Sequence, residues 1–327
     1  MSADNPVVVG DDEISVGIAQ GNSAEVRESA AKRQKTGDSP VEEMLKTLST
    51  LYIGKRDVHI MSLVLASMDS MTYEALRKQI SEICGPGECR WGSQLIVKND
   101  IEDLLRGAWL NDNTLNMILC IITRSLGLQY SSIPAGFQFL DGKNGCIPRV
   151  NCIVVNTYFY STVFPKSGGM DTRKLQGCFK HTDTSQVNRI GVPIHLGDAH
   201  WLVAVIDIGL GKVIVCDSLG IHNQKTDLYE RIANQMIDIY KALWKVKNPT
   251  IPIQTEWTID YNPQSLVQQQ EDGSNCGVWV VMNLLFLMQG KRVVPIWNKD
   301  MPNARKWIAQ QLLYFWRACA QEPHWDQ

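Results

Sequence analysis

Three residues stand where a backbone element starts or stops and could act on one carbon together: Cys276, His200 and Asp217. The run QQQEDGSNCGVWVV, residues 268–281, sets a polar, glycine-containing loop against a long apolar stretch, with the cysteine at the join. A helix N-terminus carries unpaired N–H groups and a partial positive charge, so a cysteine there has its thiolate stabilised. Serine would gain much less, because its hydroxyl stays protonated, whereas a thiolate attacks carbonyl carbon. The same stretch reads equally as a core cysteine opening a core helix. Gly277 leaves room for close backbone approach.

A thiolate nucleophile needs a proton acceptor, itself oriented by a third group. Of six histidines, His200 lies where the loop Gly197-Asp198-Ala199 enters a strand-like run, and Asp217 ends the partner strand of the expected hairpin. Those two ends then lie side by side. Asp198 is too near His200 along the chain to present a good face, and Asp207 falls at the far end of the hairpin. His195 reads as a strand position, His222 as a loop residue and His324 as a tail residue; His59 and His181 have no identifiable carboxylate partner. Acyl chemistry also needs donors for an oxyanion. Gln270 could fold back over Cys276 through the Asp272-Gly273-Ser274 turn, with the Cys276 N–H as second donor. A glutamine within QQQ reads equally as a solvated loop side chain.

The elements that must position these residues form an α+β pattern. Strands are expected at Ile147–Tyr158, Arg189–Leu196, Trp201–Ile208 and Lys212–Cys216, the last two joined by Gly209-Leu210-Gly211. Helices are expected at Asn113–Leu126, Lys225–Trp244, Cys276–Met288 and Ala304–Cys319. Upstream, EEMLKTLSTLY and MTYEALRKQISEI repeat apolar residues at three- and four-residue spacing, so residues 41–90 read as a helical N-terminal extension, broken by Gly85-Pro86-Gly87. Residues 91–327 form the main domain. Residues 1–40 are poor in aromatics and read as a disordered tail. The tail holds Lys32-Arg33-Gln34-Lys35, which reads equally as a nuclear import signal or as a solvated charge run.

At 44% hydrophobic and 20% charged residues with a net charge of −2, the chain is neither a coat for nucleic acid nor a disordered polymer. No apolar run reaches the roughly eighteen residues that span a bilayer, and the first residues lack a secretory pattern. An intracellular, reducing setting is expected. Nine cysteines then argue for buried thiols rather than disulfides. Cys84 and Cys89 flank Gly-Pro-Gly-Glu, but no second pair follows to complete a four-ligand zinc site, so no metal is expected.

Taken in order, His200-Trp201, Asp217-Ser218-Leu219, Gln270 and Asn275-Cys276-Gly277 resemble the ubiquitin-like-protein-specific cysteine proteases, the SUMO or sentrin-specific protease family of Ulp type, peptidase family C48. Ala108-Trp109-Leu110-Asn111-Asp112 with Leu115-Asn116 looks like that family's W-L-N-D-x-x-I-N segment. Val154-Val155-Asn156-Thr157-Tyr158-Phe159-Tyr160 looks like its MNTFFY segment, and Val192-Pro193-Ile194-His195-Leu196 like its VPIH strand. The resemblance covers about residues 100–319. It implies a papain-like fold with helices around a short mixed sheet, and a protease domain over 91–327.

By resemblance, Cys276 is the nucleophile, His200 the general base and acid, Asp217 its orienter and Gln270 the oxyanion donor. Trp109 and Trp201 would close over the modifier's terminal Gly-Gly, and Asp112 would meet a basic residue of the modifier. The implied reaction is hydrolysis after Gly-Gly of a ubiquitin-like modifier, SUMO first, from precursors or from substrate lysines. No cofactor, nucleic acid or membrane is implied, and nuclear residence is favoured over cytoplasmic. The rivals are a protease for another ubiquitin-like modifier or ubiquitin, an acetyltransferase on the same fold, and a SUMO-binding module without turnover. Two positions depart from the family: Asn275, usually Asp, and Cys216, commonly aromatic. Neither supplies a catalytic atom, so activity is expected.

Overall fold

The computed structural model describes residues 65–91, 94–125, 129–131, 152–166, 168–180, 184, 187–197, 199–220, 226–247, 255–261, 269–290 and 296–321. The expected tail over 1–40, the helix in EEMLKTLSTLY and the strand residues 147–151 lie outside them.

A 3₁₀ turn, Met68–Ser70, leads to α1, Tyr73–Cys84. The Thr72 hydroxyl caps α1 by accepting from the Ala75 N–H at 3.0 Å, and its buried stripe is Leu76, Ile80 and Cys84, at i, i+4, i+8. An antiparallel pair, β1 (Glu88–Trp91) and β2 (Gln94–Val97), follows, then α2 (Lys98–Leu105) and α3 (Asp112–Ser125). Asn111 starts α3: its side-chain oxygen accepts from the Thr114 N–H at 2.8 Å while its amide donates to Asp100 at 2.7 Å.

Among the described residues six strands make the main sheet, in the order β3 (Gln129–Ser131), β4 (Cys152–Val155), β5 (Arg189–Leu196), β6 (His200–Asp207), β7 (Lys212–Cys216) and β8 (Thr258–Tyr261). The pairs β3–β4, β4–β5 and β7–β8 are parallel, and β5–β6 and β6–β7 antiparallel. The architecture is α+β with a mixed sheet. Helices α4 (Phe159–Val163), α5 (Thr172–Cys178), α6 (Thr226–Lys247), α7 (Cys276–Leu287) and α8 (Met301–Gln321) cover it.

Alternation along the strands divides the described buried residues into two cores. Cys152 and Val154 of β4 and Trp201, Val203 and Val205 of β6 join α1, α2, α3, α7 and α8. Ile153 and Val155 of β4 and Leu202, Ala204 and Ile206 of β6 join α4, α5 and α6. On β5 the residue turned toward α7 is Gly191, where a Cβ would stand 2.6 Å from Leu284 and 2.7 Å from the Met288 sulfur. The bare backbone lets α7 lie against the sheet.

The expected strand Ile147–Tyr158 is shorter than its β-branched run implies: within the described residues it stops at Val155. Thr157 leaves the ladder because its N–H donates to the Asn116 side chain at 2.9 Å, and the Asn116 amide donates to the Thr157 hydroxyl, also at 2.9 Å. That two-way bond ties the segment Val154–Tyr160 to α3, and Phe159 then opens α4.

Candidate active site

His200 is the first residue of β6 and pairs with Leu196 across the β5–β6 hairpin, whose Gly197 has φ +56. Asp217 follows the last residue of β7. The two strands are in register from Val203 with Cys216 to Asp207 with Lys212, so the ladder carries the histidine and the carboxylate to one edge. His200 Nε2 lies 2.6 Å from Asp217 Oδ1. The same oxygen accepts the Leu219 N–H at 2.9 Å, and Oδ2 accepts the Tyr229 hydroxyl of α6 at 2.6 Å. Asp217 has no solvent exposure, and a carboxylate so placed survives only when its lone pairs are met by donors.

These contacts set the charges. Burial works against ionised Asp217, yet the bonds from His200 and Tyr229 outweigh it and hold its carboxyl below the usual value. Burial also disfavours charged His200, but the hydrogen bonds and negative charges of Asp217 and Cys276 raise it from 6.5 to about 9. Nε2 is taken by Asp217, and the buried Nδ1 makes no hydrogen bond. Cys276 is near enough to act on His200, since it is one of the two groups that raise the imidazole.

Cys276 is the first residue of α7 and is buried. Every residue of α7 is buried, which fixes the sulfur through the packing of the whole helix. Asn275 makes no side-chain cap. The loop instead closes on Asp272, whose carboxylate accepts the N–H groups of Ser274 at 2.7 Å and Asn275 at 2.8 Å and the Asn275 amide at 2.5 Å. Burial opposes the Asp272 charge, and these bonds override it, lowering its pKa. At Gly277 a Cβ would stand 3.0 Å from the Leu110 Cβ. That close approach packs the start of α7 against the segment carrying Trp109.

Gln270 is buried beside this loop. Its N–H donates to the Ser218 carbonyl at 2.5 Å, its side-chain oxygen accepts the Ser218 hydroxyl at 2.9 Å, and its amide nitrogen donates to the Asp272 carbonyl. It bridges the Asp217 turn and the Cys276 loop, with the amide turned to Asp272 rather than bonded to Cys276. The same nitrogen lies 3.3 Å from Asp272 Oδ1, so both of its contacts are to Asp272.

A thiol at a helix start, an imidazole beside it and a buried carboxylate behind the imidazole can carry out acyl transfer through a thioester. The sequence profile of the Ulp1 protease family, C-terminal catalytic domain, matches residues 147–314, slightly more than half of the chain. The chain belongs to the Ulp1 protease family.

The span matched to the Ulp1 protease family holds Cys276, His200, Asp217, Gln270 and Trp201; Trp109 and Asp112 precede it. Over 219 residues the chain is 26% identical to a sentrin-specific protease of Caenorhabditis elegans, covering 67% of this chain and 27% of that protein. It is 26% identical to sentrin-specific protease 2 of Homo sapiens, with coverages of 67% and 32%, and 24% identical to ubiquitin-like-specific protease 1 of Saccharomyces cerevisiae, with 67% and 29%. The chain thus spans about a quarter to a third of the length of these curated relatives. Among solved structures it is similar to the SUMO protease Ulp1 with its catalytic cysteine oxidised to a sulfenic acid, at TM-score 0.54 and 20% identity, covering 74% of this chain and 93% of that one. It is also similar to the Ulp1 protease domain in complex with Smt3, the yeast ortholog of SUMO, at TM-score 0.50 and 19% identity, with coverages of 76% and 97%. These structural likenesses show the fold.

In this Ulp1-family chain the two tryptophans differ sharply. Trp109 is 54% exposed, whereas Trp201 is 4% exposed, stacked on His195 at 4.2 Å, with its indole N–H donated to the Leu110 carbonyl at 3.1 Å. The bond fixes Trp201 to the residue after Trp109. Asp112, at the start of α3, is partly exposed, and its charge is felt by the half-exposed Tyr158, whose hydroxyl is raised first by burial and then by Asp112. Asp207, the rejected orienter, is bound to Arg189 at 2.7 Å. Asp198, His59, His181, His222 and His324 lie outside the described residues. Cys84 is buried, and burial together with Cys89 raises its thiol to about 11; among the described residues no group of three or more His, Cys, Asp or Glu could hold a metal ion.

Two residues of the site were missed in the sequence. Tyr229 sits in the periodic apolar stripe Tyr229, Ile232, Ala233, Met236 of α6, where it reads as core. Arg305 lies in the apolar face of α8 with only 4% exposure. A charged residue on a mostly apolar buried face, which here also holds Lys306 and Gln311, is a signal, but one sequence does not say which loop it reaches.

Proposed function

We propose that the protein is a cysteine protease that cleaves after the C-terminal Gly-Gly of a ubiquitin-like modifier, SUMO first, in precursor maturation, in deconjugation or in both. The observation that carries this reading is the His200 Nε2 to Asp217 Oδ1 contact of 2.6 Å, with Cys276 at the start of α7 near enough to help raise the imidazole. The names of the relatives, sentrin-specific and SUMO proteases, supply the modifier.

In the reaction, Cys276 Sγ as thiolate adds to the carbonyl carbon of the terminal glycine. His200, protonated, gives its proton to the departing amine as the C–N bond breaks, leaving a thioester. Water, deprotonated by His200, then attacks the thioester, the C–S bond breaks, and the modifier leaves with a free carboxylate. Asp217 holds the ring with Nδ1 toward sulfur throughout. The Cys276 N–H and the Gln270 amide, which gives up its long 3.3 Å contact to Asp272 Oδ1, receive the oxyanion. Trp109 and Trp201 flank the approach of the two glycines, and Asp112 meets a basic residue of the modifier. Residues 91–327 are the protease domain, with 41–90 as its helical extension. The Lys32–Lys35 cluster supports nuclear residence, which a fluorescent fusion with Lys32, Arg33 and Lys35 changed to Ala would test by its redistribution.

The deciding experiment is incubation of the protein and of Cys276→Ser with SUMO, ubiquitin and other ubiquitin-like vinyl sulfone probes. An adduct with SUMO, absent in the variant, is expected. An adduct with a different modifier would reassign the substrate, and a folded protein that labels with none would overturn the protease reading.

A further inference from the structure

Arg305 is nearly as inaccessible as the core around it, yet its fork ends on four oxygens of two different segments. Nε donates to Asn275 Oδ1 at 2.6 Å and Nη2 to the Ser274 carbonyl at 2.9 Å. Nη1 reaches the carbonyls of Leu104 at 2.9 Å and Ala108 at 2.8 Å. One cation therefore ties the residues immediately before Cys276 to the segment leading into Trp109. None of these four acceptors is a carboxylate. The nearest negative charge reaches Arg305 through an amide: Asn275 accepts from Arg305 with Oδ1 and donates with Nδ2 to Asp272 at 2.5 Å. An amide can do both and a carboxylate cannot, since a carboxylate has no proton to give. The Asp272 carboxylate meanwhile gathers the N–H groups of Ser274 and Asn275.

We propose that Asp272, Asn275 and Arg305 form a charge relay that positions Cys276, in which one acid and one amide must be divided between positions 272 and 275. The inference rests on the protease reading for what the positioned sulfur does. The relay itself is a matter of proton counting. Burial lowers the Arg305 guanidinium from its ordinary value, and the negative charges of Asp272, Tyr73 and Cys276 oppose that only in part. An aspartate at 275 beside Asp272 would put two carboxylates where a single hydrogen bond now runs, and one must take a proton or swing away. An asparagine at 272 beside Asn275 keeps an acceptor for the loop N–H groups but leaves Arg305 with no nearby carboxylate. Exchanging the two restores the count: Asp at 275 pairs directly with Arg305, and Asn at 272 accepts from the loop and donates to the carboxylate at 275. These are positioning residues, since none of them touches the scissile bond.

The test uses the full chain as wild type, D272N, N275D and the double exchange D272N/N275D. Three readouts are taken: kcat and KM on a fluorogenic amide of the modifier C-terminus, iodoacetamide alkylation of Cys276 followed by peptide mass spectrometry, and a thermal melt. Each single change is expected to lower kcat by about tenfold with little change in KM, the loss typical of a misplaced charge-assisted bond. N275D also slows alkylation by about tenfold, through the second carboxylate it adds to the loop before the sulfur, which the double exchange removes. The double exchange is expected to bring both rates within about threefold of wild type, the non-additivity of residues that act as one unit. Singles within twofold of wild type, or a double no better than its poorer single, would overturn the relay. If a single does not fold, the double alone decides: folded and near wild type supports the proposal, unfolded or slow sinks it. Alkylation needs no protease activity, so a wild type that cleaves nothing refutes the protease reading while the comparison of N275D with the exchange still judges the relay.

Discussion

The two halves of the site are held by different means. His200 and Asp217 sit at the ends of neighbouring antiparallel strands, and their separation follows from a ladder running from Val203–Cys216 to Asp207–Lys212. Around Cys276 no ladder reaches the loop; residues 272–275 are shaped by side-chain bonds to Asp272 and by Arg305 from α8. A side-chain change on the base half should therefore alter charge without moving atoms, whereas a change on the nucleophile half should move atoms. The first kind appears in a pH profile and the second in kcat or KM at fixed pH.

The largest effect breaks the comparison at its shared point. Cys276→Ser leaves both halves in place and removes the group they serve, so turnover should fall by about 10⁵- to 10⁶-fold, as for loss of a hydrolase nucleophile. Single-turnover assay at high enzyme concentration checks it, and residual activity within 100-fold of wild type would remove Cys276 from its role.

On the base half, Asp217→Asn should cost about 10³- to 10⁴-fold in kcat/KM, because the ring loses the partner that fixes its tautomer. It should also move the alkaline limb. In wild type that limb lies near the raised His200 value of about 9 and in the variant it shifts toward 6.5. The stability linkage has a definite sign. His200 is raised on folding, so its contribution is fully present below pH 6.5 and is lost as pH rises through about 9. Asp217 is lowered, so its contribution is present above 3.8 and is lost as pH falls through its folded value. A wild-type limb that stays where the variant's is would refute the charge assignment.

Tyr229→Phe takes one donor from a buried carboxylate without changing the packing. The expected cost is about 1–3 kcal/mol of stability at pH 7. Because the Tyr229 bond helps to hold Asp217 down, its loss raises the carboxyl, so the acid limb of activity and the acid unfolding midpoint both move to higher pH. Chemical denaturation across a pH series measures both, and midpoints that coincide with wild type would reduce Tyr229 to a core aromatic.

The sequence exposed the halves unequally, for the same physical reason. Strands β5 and β7 agree with the β-branched runs residue for residue, β6 is displaced by one, and α3, α6, α7 and α8 lie within a few residues of the periodic stretches. Apolar periodicity is a local signal, and so is the short turn that brings Asp217 back to His200. By contrast β8 is four residues long, carries Asp260 and Tyr261, and joins β7 only by a parallel crossover, so nothing nearby announces it. The β1–β2 hairpin, α2 and α5 are similarly short. Asp272 could be seen as a turn residue, but its bond to Asn275 and the reach of Arg305 from 30 positions away depend on tertiary placement. Gln270 could be placed near the nucleophile from spacing alone. Its attachment to Ser218 could not.

The smallest expected effects come from two glycines, one beneath α7 and one in its first turn, and they sharpen the contrast between moving the site and loosening the fold. Gly191→Ala puts a methyl 2.6 Å from Leu284 and 2.7 Å from the Met288 sulfur, near the C-terminal end of α7 and away from the loop. Both neighbours are side chains that can turn aside, so the change should cost about 1–3 kcal/mol of overpacking in a thermal melt while kcat and KM hold. Gly277→Ala gains about 1 kcal/mol in helix propensity but brings a methyl to 3.0 Å from the Leu110 Cβ. Leu110 is not free to yield, because its carbonyl takes the Trp201 indole and the residue before it is Trp109. The melt should therefore change little while KM rises severalfold and kcat stays close to wild type, since the segment that shifts carries a tryptophan and no reacting atom. A G277A enzyme with altered stability and unaltered KM would mean that the approach of α7 to Leu110 serves packing alone.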